Sequence, residues 1–110
     1  MLFISVDDFL AKVNAAPRLT PEEEKSLAYC ILDGDDSAQQ TLLQSYIPLV
    51  ASFVRRAPTE IRTLHTVYAC IDAVKKGMEH FNFLQSNRPF AHYVNWHLRQ
   101  CITRCIADRF

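Results

Sequence analysis

Apolar side chains recur every three or four positions along most of this chain, the spacing that gathers them on one face of an α-helix. Phe9, Leu10 and Val13 begin the pattern in a segment from about Val6 to Asn14, and Pro17 closes it. A sharper start follows at Thr20-Pro21-Glu22-Glu23. Thr20 can cap, Pro21 suits the first helical position, and Glu23 completes a capping box. This second helix is expected to end at Asp33-Gly34, because glycine adopts the left-handed closing conformation without strain. Asp35, Asp36 and Ser37 offer another cap, after which Ala38, Leu42, Tyr46, Leu49, Val50, Phe53 and Val54 keep helical register up to Arg56. Pro48 interrupts that run and is expected to kink or split the third helix.

Beyond Pro58 and Thr59, a fourth helix is marked by Ile61, Leu64, Tyr68, Ile71, Val74, Met78 and Phe81. Residues 82 to 88 read as a polar loop, and Pro89 opens a last helix to about Arg109. The pattern predicts an all-α fold, a compact bundle of about five helices, with Leu49, Val50, Phe53, Leu64, Ile71, Val74, Leu98 and Ile102 buried together. An N-terminal helical segment, residues 1–18, would precede a helical domain at 19–110. Composition agrees. The 110 residues contain 2 glycines, too few for an all-β fold with many tight hairpins.

The formal net charge is zero, but it is unevenly spread. Residues 1 to 40 hold eight acidic side chains against three basic ones, whereas residues 41 to 110 hold nine basic against four acidic. An acidic arm and a basic body can attract each other, or the basic half can meet a polyanion. The longest apolar run, from Ile47 to Val54, already contains Pro48 and Ser52 and is too short to span a bilayer. The opening MLFISV lacks the basic flank of a secretory signal and runs into Asp7 and Asp8. These features imply a cytoplasmic protein with no membrane partner. Cys30, Cys70, Cys101 and Cys105 are then expected to be reduced thiols packed as small hydrophobes.

The last helix carries the most informative face. With Tyr93 at zero and about 100° per residue, Trp96, His97, Gln100, Thr103 and Arg104 cluster on the same side. Val94, Leu98, Cys101, Ile102 and Cys105 fall on the opposite arc. Aromatic rings offer flat surfaces for unpaired bases, Gln100 and Thr103 can hydrogen-bond base edges, and Arg104 can meet phosphate. Packing of Tyr93 and Trp96 against a neighbouring helix is the alternative that periodicity leaves open. Other chemistry finds little support. The chain has no Gly-rich phosphate loop, H-E-x-x-H or G-x-S-x-G pattern, and Glu22 to Glu24 have a capping role. His97, Cys101 and Cys105, spaced by four, lack a fourth ligand and the spacings of a zinc site. His65, His80 and His92 read as surface or packing residues, while Arg55, Arg56, Lys75 and Lys76 read as solvated faces or phosphate contacts.

The stretch FAHYVNWHLRQCITRCIAD at 90 to 108 resembles a helix of bacterial sigma factors, the RNA polymerase subunits that recognise promoters. The family pattern is approximately F-x-x-Y-A-x-W-W-I-R-Q-A-I-T-R-x-I-A-D. LTPEEEKSLA at 19 to 28, and the run from Gly34 and Asp35 through Ala38, Leu42, Leu49 and Val50, are similar to the family's upstream helices in the same order. The resemblance covers roughly residues 19 to 109 and corresponds to sigma region two with the short helical region before it. It implies a non-enzymatic transcription-initiation domain without a cofactor. Its partners would be the non-template strand of the promoter minus-ten element and the clamp helices of core RNA polymerase, with an anti-sigma protein as a further partner class. Phe90, Tyr93 and Trp96 match the aromatics that accompany promoter opening, with Tyr93 expected to stack on a flipped base. Gln100 and Thr103 match positions that read the element's upstream edge, and Arg99 and Arg104 match basic positions.

Some positions depart from the pattern. The family's second tryptophan is His97 here, and the loop FNFLQSNRP at 81 to 89 lacks the usual acidic residue and Arg-Gly step. The helix matching the polymerase-binding one, with candidate residues His65, Tyr68, Ala69, Ile71, Asp72 and Lys75, has lost the family's Asp-Leu-Ile-Gln-Glu-Gly-Asn-like run at 65 to 71. That change supports an alternative function, a sigma-like interaction module acting as a regulator or decoy without normal polymerase binding.

Overall fold

Local capping chemistry sets the boundaries of the fold. In a computed structural model that describes residues 5–13, 19–81 and 89–109, helix α1 spans Val6–Lys12, α2 Pro21–Leu32, α3 Asp36–Arg56, α4 Leu64–His80 and α5 Phe90–Arg109. No strand occurs among the described residues, so the all-α expectation holds. The reciprocal capping box at α2 is present: Glu23 N–H donates to Thr20 Oγ1 at 3.1 Å, and Thr20 N–H donates to Glu23 Oε1 at 3.0 Å. Gly34 follows α2 with φ +87°, the conformation for which glycine was expected there. Asp35 Oδ1 then accepts from the amides of Ser37 and Ala38, starting α3.

Two boundaries differ from the sequence reading. Helix α3 is not split at Pro48 but runs through it, with its C-terminal half held by buried Val50, Ala51 and Val54. Burial of that face compensates for the hydrogen bond that proline cannot donate to Gln44. Ile61 does not belong to the fourth helix; it lies in a 3₁₀ turn, Thr59–Ile61, and Thr63 is the cap of α4, accepting from Thr66 N–H. Ile61 is nevertheless buried. Closure at Pro17 and the loop at 82 to 88 lie outside the described residues.

Helix α3 is central: α2 and α4 both pack on it, and α4 packs extensively on α5. Leu42, Val50, Val54, Val67, Val74, Val94 and Leu98 are fully buried where these helices meet. Of the predicted core, Val50, Ile71, Val74 and Leu98 are buried, while Leu49, Phe53 and Ile102 pack around the rim. Leu64 is only half-buried, being the first residue of its helix. Phe9 of α1 is fully buried in the same core, and Arg55 Nη2 donates to Leu10 carbonyl oxygen at 3.1 Å across the two helices. Tyr46 Oη donates to Glu24 Oε1 at 2.6 Å, joining α2 to α3 through a buried hydrogen bond. No described helix is long and apolar enough to cross a membrane.

Candidate nucleic-acid interface

Helix α5 presents two different sides because Val94 and Leu98, four apart, are driven into the core with no exposed surface. On the outward side, Trp96, Gln100, Thr103 and Arg104 are exposed, and Trp96 keeps 57% of its surface open to solvent. A large aromatic ring that exposed has a face available to a flat partner.

Tyr93 and His97 sit lower on the same strip and are half-buried. Tyr93 rests on Phe81, ring centroids 5.2 Å apart, and meets His97 edge to face at 4.4 Å. His97 in turn contacts the Trp96 ring edge to face at 5.1 Å. The result is a continuous row of rings, Phe81, Tyr93, His97 and Trp96, in which the inner members orient the outer one. Gly77 of α4 lies beneath the Tyr93–His97 pair. A Cβ built there would stand 3.7 Å from the Tyr93 ring, so the α4 backbone lies directly beneath it. His97 Nε2 is buried without a hydrogen-bond partner among the described residues. Burial lowers the His97 pKa from its ordinary value, and the charge of His80 acts in the same direction.

Phe90 departs from its expected place on the strip. It is 2% exposed and packs edge to face on Tyr46 at 5.2 Å and against Phe81 at 5.1 Å. Its position at the first turn of α5 points it between α3 and α4, and it supports Tyr93 from below at 6.5 Å. Arg99 is also separated from the strip. It is exposed on the other flank of α5, where it lines a cleft of about 340 Å³ with Phe53, Arg56, Asn95 and Ile102. The Arg56 guanidinium lies 5.1 Å from the Phe53 ring centroid in that cleft. Asn95 and Arg56 carry no periodicity signal of their own; only the juxtaposition of α3 with α5 brings them beside Arg99.

On α4, His65, Tyr68, Asp72 and Lys75 are exposed and recur at helical spacing along one face. Asp72 pairs with Lys76 at 3.3 Å. Ala69 is half-buried, and Ile71 is a core residue at 8% exposure. The expected partner-facing set is therefore corrected at Ile71, whose side chain packs inward. Cys30 is exposed rather than packed, whereas Cys70 is buried and Cys101 and Cys105 are partly so.

Similarity to known proteins runs along almost the whole chain. It is 34% identical over 96% of its length to the RNA polymerase sigma factor SigA of Clostridium acetobutylicum. The chain is a homologue of one region of bacterial sigma factors. It is also 31% identical over 92% of its length to SigA of Listeria monocytogenes and 29% identical to SigA of a Bacillus species. The chain spans only 27 to 29% of the length of these sigma factors. No protein-family model matches it, and no solved structure matches it significantly.

Proposed function

We propose that this chain is a sigma-type transcription-initiation module, non-enzymatic, that recognises the promoter minus-ten element, helps to melt it and binds core RNA polymerase. The observation that carries this reading is the exposed Trp96 at the outer end of a supported row of rings, in a chain homologous to sigma factors along nearly all of its length. In this reading Trp96 and Tyr93 stack against bases of the non-template strand as the duplex opens, and Gln100 and Thr103 meet base edges. Arg104 neutralises phosphate beside them, while Arg99 and Arg56 offer a second cationic site on the far flank. His97 supports the rings, which is a narrower role than direct stacking. Phe90 acts through packing beneath Tyr93.

Helix α4 would face the polymerase clamp helices through His65, Tyr68, Asp72 and Lys75. Tyr68, 37% exposed, favours a second reading in which this face binds a different protein and the chain acts as a regulator or decoy. Titration of fluorescent single-stranded DNA with the protein, in the presence and absence of purified core polymerase, tests the proposal. Binding that prefers a minus-ten sequence and tightens with polymerase supports it. DNA binding absent under both conditions would refute it, and DNA binding indifferent to polymerase would favour the second reading.

A further inference from the structure

Three thiols meet between α4 and α5. Cys70 Sγ of α4 lies 3.9 Å from Cys101 Sγ of α5, and Cys105 follows Cys101 by one helical turn. Cys70 is fully buried, Cys101 and Cys105 are partly exposed, and all three are free. We infer that Cys101 is a site of reversible oxidation by hydroperoxides, with Cys70 as the thiol that resolves it into a disulfide joining α4 to α5. This inference stands apart from the proposed DNA and polymerase binding.

The geometry assigns the roles. Cys101 combines partial access to solvent with a sulfur neighbour on the adjoining helix, 3.9 Å away. The S–S separation must shorten from 3.9 Å to about 2.05 Å, a movement within the reach of side-chain rotation and small helix adjustment. The electrostatics point the same way. The Cys101 pKa is lowered to about 7, chiefly by the hydrogen bond from Cys70, with Cys105 and Arg104 acting in the same direction and burial and Asp72 opposing them. The Cys70 pKa is raised, first by its hydrogen bond to Cys101 and then by burial, so it stays a thiol and keeps donating. Burial also raises the Cys105 pKa, with Asp108 adding to it and the Thr66 hydroxyl opposing it.

The chemistry balances with hydrogen peroxide as oxidant. The Cys101 thiolate attacks one peroxide oxygen, the O–O bond breaks, and hydroxide leaves, so that sulfur loses two electrons and becomes a sulfenic acid. The Cys70 sulfur then attacks the Cys101 sulfur. An S–S bond forms, the S–O bond breaks, and the departing hydroxide leaves as water with the Cys70 proton. Two thiols and one peroxide thus give one disulfide and two waters.

The test treats the full chain with equimolar hydrogen peroxide at neutral pH and maps the products by peptide mass spectrometry. The expected result is a mass loss of about 2 Da located in a Cys70–Cys101 linked peptide and reversed by dithiothreitol. Cys70→Ser retains a donor beside Cys101 but removes the resolving sulfur. In that variant, Cys101 should stop at a sulfenic acid that dimedone traps. Iodoacetamide labelling of unmodified protein should give Cys101 a rate midpoint near pH 7. Oxidation that falls first on exposed Cys30, or a Cys101–Cys105 linkage in place of the Cys70 one, would overturn the inference.

Discussion

Tyr93 and His97 meet edge to face, ring centroids 4.4 Å apart at 73°, and both rings lie over Gly77 of the neighbouring helix. The exposed end of the strip is therefore built on a close approach between α4 and α5. A Cβ at Gly77 would make ordinary van der Waals contact, 3.7 Å from Tyr93 and 3.9 Å from His97. Gly77→Ala should consequently fit and stabilise the protein by about 0.5–1 kcal/mol through helix propensity. Urea unfolding checks this. A larger side chain, as in Gly77→Leu, should displace Tyr93 and destabilise instead.

His97 predicts how stability responds to acid. Its folded-state pKa lies below the ordinary value, so between pH 7 and 5 the unfolded chain takes up the proton first. The contribution of the neutral imidazole is present above pH 6.5 and is lost as pH falls. His97→Gln should flatten that part of the stability profile, read as the difference in urea midpoints between wild type and variant across this range.

Phe90 and Trp96 should separate folding from binding. Phe90→Ala removes a ring that is 2% exposed and should cost about 3–5 kcal/mol of stability in thermal or urea unfolding. Trp96→Ala removes a ring that is 57% exposed and should leave unfolding almost unchanged. Binding of single-stranded minus-ten DNA should instead weaken by about tenfold, the equivalent of losing one stacked base. The free protein's tryptophan fluorescence should be red-shifted and readily quenched by iodide.

Arg104 should act through charge rather than shape. Arg104→Ala should weaken DNA binding about equally for all sequences and reduce the slope of log affinity against log salt by about one. Equal slopes for variant and wild type would remove Arg104 from the phosphate contacts.

The buried bond from Tyr46 to Glu24 should hold α2 to α3. Tyr46→Phe keeps the ring in the core and deletes the donor, and is expected to cost about 1–3 kcal/mol because a buried carboxylate loses a partner. Hydrogen exchange should then rise first in α2, which rests on α3 alone among its extensive contacts.

What the sequence determined by itself was local or periodic. Thr20 with Glu23, Gly34 and Asp35 set helix ends because a cap involves residues two to four apart and needs no distant partner. The outward line of Trp96, Gln100 and Arg104 was equally legible, since helical spacing places it opposite Val94 and Leu98. Tertiary structure decided everything that depends on which helix lies across from which. Phe90 has the residue type of a contact surface, yet the α3–α4–α5 junction covers it. Tyr93 is half-buried because α4 passes beneath it at Gly77, and no periodicity along α5 carries that information. The convergence of Cys70 with Cys101, and of Arg56 with Arg99, likewise arises between helices. A one-dimensional pattern states which face of a helix is apolar; only packing fixes what that face, and its borders, will touch.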